Sequence, residues 1–263
     1  MIAERRFTIG LRVVVLGYLG LLLLVPVGMV LYRTFEHGIA PVIDSVTTPA
    51  AVSAFWLTIE IALIAVPLNA IFGVIAALAL VRGRFRGKAA LDAVINLPFA
   101  LSPVVIGLAL LLVYGNDGWI RLPFQVIFAV PGMILATVFV SLPFVVREVA
   151  PVLREIGDDQ EKAALTLGAS PWQAFRRVTL PAIRWGLAYG IVLTTARAIG
   201  EFGAVSVVSG RVSGQTESLT LLVQKRFENF DLAGAYAASA LLALIALATL
   251  LAMTLLKRRS DEA

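Results

Sequence analysis

Long runs of apolar residues, separated by short polar stretches, dominate this sequence. Six of the runs approach or exceed the roughly 20 residues that an α-helix needs to cross the hydrocarbon core of a bilayer. They occupy residues 13–31, 55–81, 89–114, 126–146, 182–208 and 233–256. The pattern predicts an all-α polytopic membrane protein with six transmembrane helices.

The third run is the least regular of the six. Pro98 and Pro103 each remove a backbone donor, and Asp92, Asn96 and Ser102 add polar side chains. Such interruptions persist in lipid only where protein or water satisfies the freed backbone groups. We therefore expect this helix to pack inside a helical bundle.

The composition excludes several other classes of protein. Of the 263 residues, 59% are hydrophobic and 15% are charged, whereas soluble domains carry about 25% charged residues. The sequence contains no cysteine, which excludes disulfides and thiolate metal sites. His37, the single histidine, cannot form a metal centre or a catalytic triad alone, so we expect neither a metal site nor catalytic residues.

The basic residues lie at the ends of the apolar runs, so they indicate orientation rather than binding to nucleic acid. Sixteen of the 22 Lys and Arg residues fall on one predicted side of the membrane and five on the other, with Arg197 inside the fifth run. Cytoplasmic loops are enriched in Lys and Arg, which predicts that both termini are cytoplasmic.

The first run is expected to be a retained helix. Arg5 and Arg6 precede it, as basic residues precede the apolar part of a signal peptide. The run is longer than that part usually is, however, and no small-residue cleavage site follows it.

The polar segment 147–181 lies on the predicted cytoplasmic side and has the pattern of two short helices. For the first helix, Asp158 is predicted to be the N-cap, and Glu161 to complete a capping box with it. Gly168 can adopt the left-handed conformation that ends a helix.

The second short helix is predicted from its own capping residues. Ser170 is the expected N-cap, Pro171 suits the first helical position, and Gln173 completes a capping box. Pro181 then marks the start of the next membrane helix. The two helices together predict an ordered, elbow-shaped element, which we call the elbow (residues 158–181).

The elbow resembles the E-A-A-x-x-x-G-x9-I-x-L-P loop of ABC importer permeases. The matching positions are Ala163, Ala164, Gly168, Val178, Leu180 and Pro181, with Val178 in place of Ile. Lys162 stands where the family has Glu, and Glu161 lies one residue earlier. In that family the first short helix of the loop is the coupling helix, which fits into a groove of the ATPase subunit.

A second stretch resembles a narrower family. Residues 197–203 read R-A-I-G-E-F-G, which is similar to the R-A-x-G-E-[FY]-G segment of sulfate and molybdate permeases. Residues 205–210 are similar to the W-type sulfate/thiosulfate permeases. The resemblance implies that residues 1–263 form a single ABC transporter transmembrane domain of MetI type, with residues 147–181 as its cytoplasmic coupling loop.

The resemblance also implies a function and partners. The chain is expected to be the permease subunit of an inner-membrane ATP-binding-cassette importer for sulfate or thiosulfate, paired with a related but distinct second permease. Two ATPase subunits would bind ATP and Mg, and an extracytoplasmic sulfate-binding protein would deliver the substrate. The residues implied in coupling to the ATPase are Glu161, Lys162, Ala163, Ala164, Gly168, Leu180 and Pro181.

Two charged residues lie inside the fifth run. Arg197 and Glu201 are four positions apart, so they share one helix face and can form an ion pair. The pair could be purely structural, or it could form part of the translocation pathway, where Arg197 attracts a dianion and Glu201 limits its retention. Gly200 and Gly203 allow either local unwinding or close helix approach, and we expect close packing.

A short glycine-containing motif follows the second apolar run. Residues 83–88 read G-R-F-R-G-K, which has one residue too few between its glycines and lacks the hydroxyl of a phosphate-binding loop, so ATP is not expected to bind this chain.

A molybdate or tungstate permease is the nearest alternative function. An ATP-independent secondary anion transporter is another, and an intramembrane enzyme lacks a catalytic constellation.

Overall fold

The computed structural model describes residues 2–36 and 38–261, and all regular structure in those ranges is helical. His37 lies outside the described residues. The helices are α1 (Ile2–Leu19), α2 (Val25–Phe35), α3 (Ala40–Val46), α4 (Pro49–Arg82), α5 (Lys88–Ala100), α6 (Pro103–Tyr114), α7 (Val130–Ile156), α8 (Asp159–Thr166), α9 (Pro171–Ala174), α10 (Leu180–Ala182), α11 (Arg184–Ile199), α12 (Val205–Val208), α13 (Leu219–Glu228) and α14 (Leu232–Asp261). Two π-helical segments, Gly20–Leu24 and Phe175–Thr179, connect α1 to α2 and α9 to α10.

Long apolar helices confirm the prediction of an all-α membrane protein. Among the described residues, four helical stretches are long and apolar enough to cross a membrane, and α5 with α6 makes a fifth if that bent pair is one span. The pair is bent by 115° at the break between Pro98 and Pro103, where the sequence predicted irregularity. The count of six spans and the orientation of the chain remain predictions.

The fifth apolar run is not the single helix that we predicted. Helix α11 ends at Ile199, and residues 200–204 connect it to the short α12. At about 1.5 Å per residue, the 16 residues of α11 extend about 24 Å, less than the roughly 30 Å of a bilayer core. The short α12 that follows packs against α6 and α7.

Two boundaries in the predicted loops also differ. Helix α7 continues to Ile156, ten residues beyond its predicted end, because Val149, Ala150 and Leu153 are buried on its inner face. The predicted outer segment 209–231 contains helix α13, whose leucines Leu219, Leu221 and Leu222 are buried. In both cases buried apolar side chains extend helical structure beyond the membrane runs.

Helices α4, α7 and α11 form the centre of the bundle, and small residues set their separation. A Cβ atom added to Gly73 of α4 would lie 2.6 Å from Val145 Cβ of α7. A Cβ added to Gly190 of α11 would lie 2.9 Å from Val145 Cα. Val145 is fully buried between the two glycines. Glycine is required there because only hydrogen lets three helix backbones approach so closely.

A buried polar contact joins α4 to α7 within the same bundle. Asn69 is fully buried, and its Nδ2 donates to Ser141 Oγ at 2.8 Å and to the Val138 carbonyl at 3.1 Å. In hydrocarbon such a group would otherwise be unsatisfied, so interhelical hydrogen bonds of this kind favour one helix register.

Arg226 also joins helices through hydrogen bonds, at the end of the bundle where α4 begins. Its guanidinium donates to Ser45 Oγ, to the Ser45 carbonyl and to Thr48 Oγ1, each at 2.9 Å, and to the Gly234 carbonyl at 3.1 Å. Thr48 is also the N-cap of α4. Arg226 therefore ties α13 and α14 to the start of α4.

The close helix packing leads to a test. Replacing Gly73 by Leu should destabilise the bundle by about 1–3 kcal/mol or more, because the new side chain overlaps Val145. We expect a clear drop in the melting temperature of the purified protein in mild detergent. Gly28→Leu is the matched control, since Gly28 lies in α2 with no atom within 4 Å of its added Cβ. Equal melting temperatures for the two variants would contradict the packing described here.

Candidate functional site

The elbow has the predicted form of two short helices joined by a sharp turn. Helix α8 ends before Gly168, whose φ of 88° lies in the left-handed region that favours glycine. Helix α9 begins with the predicted capping box: the backbone N–H of Ser170 donates to Gln173 Oε1 at 2.8 Å, and the backbone N–H of Gln173 donates to Ser170 Oγ at 3.3 Å. These local features confirm the elbow.

The capping box predicted for the first helix is wrong. Asp158 has φ −114° and ψ 5°, outside the β-region that an N-cap adopts, and its side chain caps no backbone N–H. It accepts instead from Lys162 Nζ at 2.7 Å, and this hydrogen bond holds the pKa of the Asp158 carboxyl below its ordinary value. Glu161 does not complete the box, because its carboxylate forms hydrogen bonds with a residue outside α8.

That partner is Arg82, the last residue of α4. Arg82 Nε donates to Glu161 Oε2 at 3.1 Å, and Arg82 Nη2 donates to Glu161 Oε1 at 3.2 Å. The guanidinium also donates to the carbonyls of Leu153 at 3.0 Å and of Gly157. One side chain thus joins the elbow to the ends of α4 and α7, and bidentate pairs of this kind combine strength with fixed geometry.

Glu161 extends the same network to the approach of α11. Thr179, the buried last residue of the second π-helical segment, donates from Oγ1 to Glu161 Oε1 at 3.0 Å. We call Arg82, Glu161 and Thr179 the clamp. Both charged side chains are 22% exposed, so water weakens the pair only partly. A displacement of α8 must therefore be transmitted to α4, α7 and the start of α11.

In the sequence alone, Arg82 is only one of the basic residues that indicate orientation. Its partner is 79 positions away, and no periodic pattern links residues so far apart. The position of Glu161, one residue before the family's usual Glu, was the one available signal that this carboxylate has a particular partner.

The tip of the elbow exposes apolar side chains. Leu167 is 88% exposed and Trp172 is 67% exposed. Trp172 stacks on Phe175 with ring centroids 5.4 Å apart, which fixes its orientation. Tryptophan is one of the residue types that dominate the binding energy of protein interfaces.

The remaining predicted coupling residues surround this tip or lie behind it. Lys162 and Ala163 are exposed and Ala164 is half-buried, while Leu180 packs against the buried cluster that contains Ile183, and Pro181 is exposed. The elbow thus has an outward face and an anchored face, and Glu161 belongs to the anchored one.

At the far end of α11, Arg197 and Glu201 form the predicted ion pair. Arg197 Nη1 lies 2.5 Å from Glu201 Oε2, and the side chains are 29% and 1% exposed. Glu201 Oε1 accepts from the Ala204 backbone N–H at 2.8 Å, and the Glu201 carbonyl accepts from Thr220 Oγ1 at 2.9 Å. Glu201 is therefore a buried carboxylate that organises the break after α11.

The two nearby glycines have different roles. Gly203 confirms the prediction of close packing, because its added Cβ would lie 2.8 Å from Pro103 Cβ of α6. For Gly200 that prediction is wrong: this residue is exposed and caps the C-terminus of α11, where the helix unwinds. The break frees the Ala204 backbone N–H from the helical hydrogen-bond pattern, so it donates to the Glu201 side chain.

A second buried carboxylate lies in the outer segment. Glu217 is 2% exposed, and its Oε1 lies 2.9 Å from Lys225 Nζ, while its Oε2 accepts from Ser213 Oγ at 2.5 Å. Lys225 Nζ also donates to Ser213 Oγ at 2.8 Å. This segment is therefore braced by charged hydrogen bonds. No sequence pattern points to Glu217, because its partner Lys225 lies eight positions further along, beyond the spacing of helical ion pairs.

Comparison with known proteins yields one family and several full-length relatives. A family described as "Binding-protein-dependent transport system inner membrane component" matches residues 69–262. The chain is 50% identical over 252 residues to the sulfate transport system permease protein CysW of Synechocystis sp., covering 94% of this chain and 91% of that protein. It is 46% identical over 261 residues to the CysW protein of Escherichia coli, covering 97% and 89%.

The fold is similar to that of solved transporters. A bacterial alginate ABC transporter, in complex with an alginate pentasaccharide-bound periplasmic protein, contains a chain that matches with a TM-score of 0.81 at 15% identity. The match covers 98% of this chain and 96% of that one. At this identity the likeness concerns the fold alone.

The clamp leads to a second test. Glu161→Ala leaves Arg82 without its carboxylate, and hydrogen bonds to charged groups contribute about 1.5–3 kcal/mol each. The elbow should detach, so trypsin should cleave faster after the exposed Arg176 and Arg177. Glu155→Ala removes an exposed carboxylate from the nearby end of α7 and is the matched control. If both variants are cleaved at the wild-type rate, the clamp does not anchor the elbow.

Proposed function

This chain belongs to the family of binding-protein-dependent transport system inner membrane components, and from that membership we propose that it is the permease subunit of an ATP-driven importer of sulfate or thiosulfate. It would form half of the translocation pathway. The observation that carries this proposal is the full-length similarity, at 46–50% identity, to proteins named sulfate transport system permease.

The clamped elbow supports coupling to a separate ATPase. The exposed Leu167 and Trp172 offer a contact surface, and the bidentate pair between Arg82 and Glu161 connects that surface to the bundle. We propose that two ATPase subunits bind ATP and Mg and that one of them holds α8. When the ATPase pair closes, the elbow would move as one body and shift α4, α7 and α11 together.

The proposed partners follow from the same family membership. A second permease, related but distinct, would complete the pathway, and an extracytoplasmic sulfate-binding protein would deliver the anion. The alginate transporter of similar fold is in complex with a periplasmic protein, which supports the second of these partners. The braced outer segment around Glu217 offers that partner an ordered surface.

Within the pathway we propose that Arg197 attracts the dianion while Glu201 limits how tightly it is held. Arg197 is the more exposed member of the pair, and Glu201 is buried against the unwound backbone after α11. A guanidinium that already has a carboxylate partner attracts the anion but binds it weakly enough for release, and transport through a pathway requires both.

The proposed function can be tested in proteoliposomes that contain the complete transporter. Uptake of radiolabelled sulfate should require ATP and the binding protein, and molybdate should compete weakly. Uptake that persists without the ATPase subunits would favour a secondary transporter, and preferential uptake of molybdate would favour the alternative oxyanion.

Gly168→Val should uncouple this transporter. A β-branched residue is strained at positive φ, so the turn of the elbow should be distorted while the complex still assembles. We expect sulfate transported per ATP hydrolysed to fall sharply. Gly87→Val is the matched control, because Gly87 has φ 98° in the turn between α4 and α5, with open space around it as at Gly168. Equal losses in both variants would contradict a coupling role for the elbow.

The role proposed for Arg197 requires a variant that keeps the fold. Arg197→Gln alone leaves Glu201 as an unpaired buried charge, which costs about 3–5 kcal/mol. The double variant Arg197→Gln/Glu201→Gln removes both charges. It should retain the melting temperature of the complex, while the KM for sulfate uptake should rise by about tenfold if Arg197 contributes about 1.4 kcal/mol to attracting the anion. An unchanged KM in the double variant would make the pair purely structural.

A further inference from the structure

A polar cavity lies at the end of the bundle that carries the elbow, away from the pair of Arg197 and Glu201. Its volume is about 250 Å³, and it is lined by residues of α4, α5 and α7 that include Asp92, Asn96, Arg147 and Arg154. At about 30 Å³ per water molecule, it has room for a small polyatomic ion with some water. Neither the clamp nor the proposed pathway pair lines this cavity.

Arg147 is held in place by neutral partners. Its Nε and Nη2 both donate to Asn96 Oδ1, at 3.1 and 3.0 Å, and its guanidinium lies 4.2 Å from the ring centroid of Phe99. Asn96 is itself oriented, because its Nδ2 donates to the carbonyl and to Oδ1 of Asp92 at 2.8 and 3.2 Å. The network positions the guanidinium without neutralising it.

The charges around the cavity do not balance. Asn96 occupies the Nε edge of Arg147, and no partner for Nη1 is present among the described residues. Arg154 forms no hydrogen bond or ion pair with any residue in the ranges 2–36 and 38–261. Two guanidinium groups therefore face one carboxylate, which already accepts from Asn96. A guanidinium with a free edge is suited to bidentate contact with the oxygens of sulfate or phosphate.

We propose that this cavity binds a tetrahedral oxyanion through Arg147 and Arg154. The anion could be free sulfate or the phosphate of an anionic lipid, because both offer the same oxygen geometry. Basic pockets between transmembrane helices near the cytoplasmic surface bind lipid head groups by this chemistry. Neither Arg197 nor Glu201 lines the cavity, so the site is distinct from the proposed pathway pair.

The test uses the purified complete transporter in neutral detergent. Its melting temperature is measured with sodium sulfate against sodium chloride at equal ionic strength, and with phosphatidylglycerol against phosphatidylcholine. A ligand that binds the folded state raises the melting temperature with its concentration. We expect at least one oxyanion source to do so, and the expected loss of that shift in Arg147→Gln identifies the cavity as its origin. The effective probe, sulfate or phosphatidylglycerol, identifies the source of the oxyanion.

Two further variants make the outcome decisive. Arg147→Lys keeps the charge but removes the planar fork, so the shift should again be lost; a retained shift would mean that charge alone suffices and would overturn the proposal. Arg84→Gln removes an exposed arginine from the neighbouring turn and should keep the shift. If Arg147→Gln does not assemble, Arg154→Gln replaces it. The absence of any shift with both probes, or a shift unchanged in the glutamine variants, would also overturn the proposal.

Discussion

The structure depends most on the bidentate contact between Arg82 and Glu161. Apart from this contact, the elbow is attached to the bundle through its chain connections to α7 and α11 and through Phe175 and Leu180, which pack against the buried cluster around Ile183. The contact ties the polar elbow directly to α4, because Arg82 is the last residue of that 34-residue helix. The contact also satisfies the carbonyls of Leu153 and Gly157, where α7 ends. One guanidinium therefore converts the ends of separate helices into a single rigid unit.

The close packing of the bundle makes such a unit mechanically useful. Gly73 and Gly190 bring α4 and α11 into contact with Val145 of α7, so none of the three helices can shift without its neighbours. Close-packed interiors change between discrete arrangements rather than deforming gradually. A movement imposed at the elbow is thus expected to move the three helices together.

The irregular backbone of the bundle lies where protein satisfies it. The break after α11 leaves backbone groups that a continuous helix would pair, and Glu201 and Thr220 hydrogen-bond to that region. Next to it, Gly203 allows Pro103 at the start of α6 to approach, so two interrupted helices cover each other. This arrangement agrees with the general requirement that non-helical backbone at membrane depth be buried in protein or line a cavity.

The sequence by itself determined the features that depend on residues close together in the chain. The apolar runs specify membrane helices, Gly168 and the box of Ser170 and Gln173 specify the elbow, and the spacing of Arg197 and Glu201 specifies their pairing. Only the tertiary structure decided the partner of Glu161, the contact of Asn69 with Ser141 and the different roles of Gly200 and Gly203. The physical reason is that helix packing brings together residues far apart in the chain, 79 positions for Arg82 and Glu161 and 181 for Arg226 and Ser45, and neither periodicity nor capping preference extends over such distances.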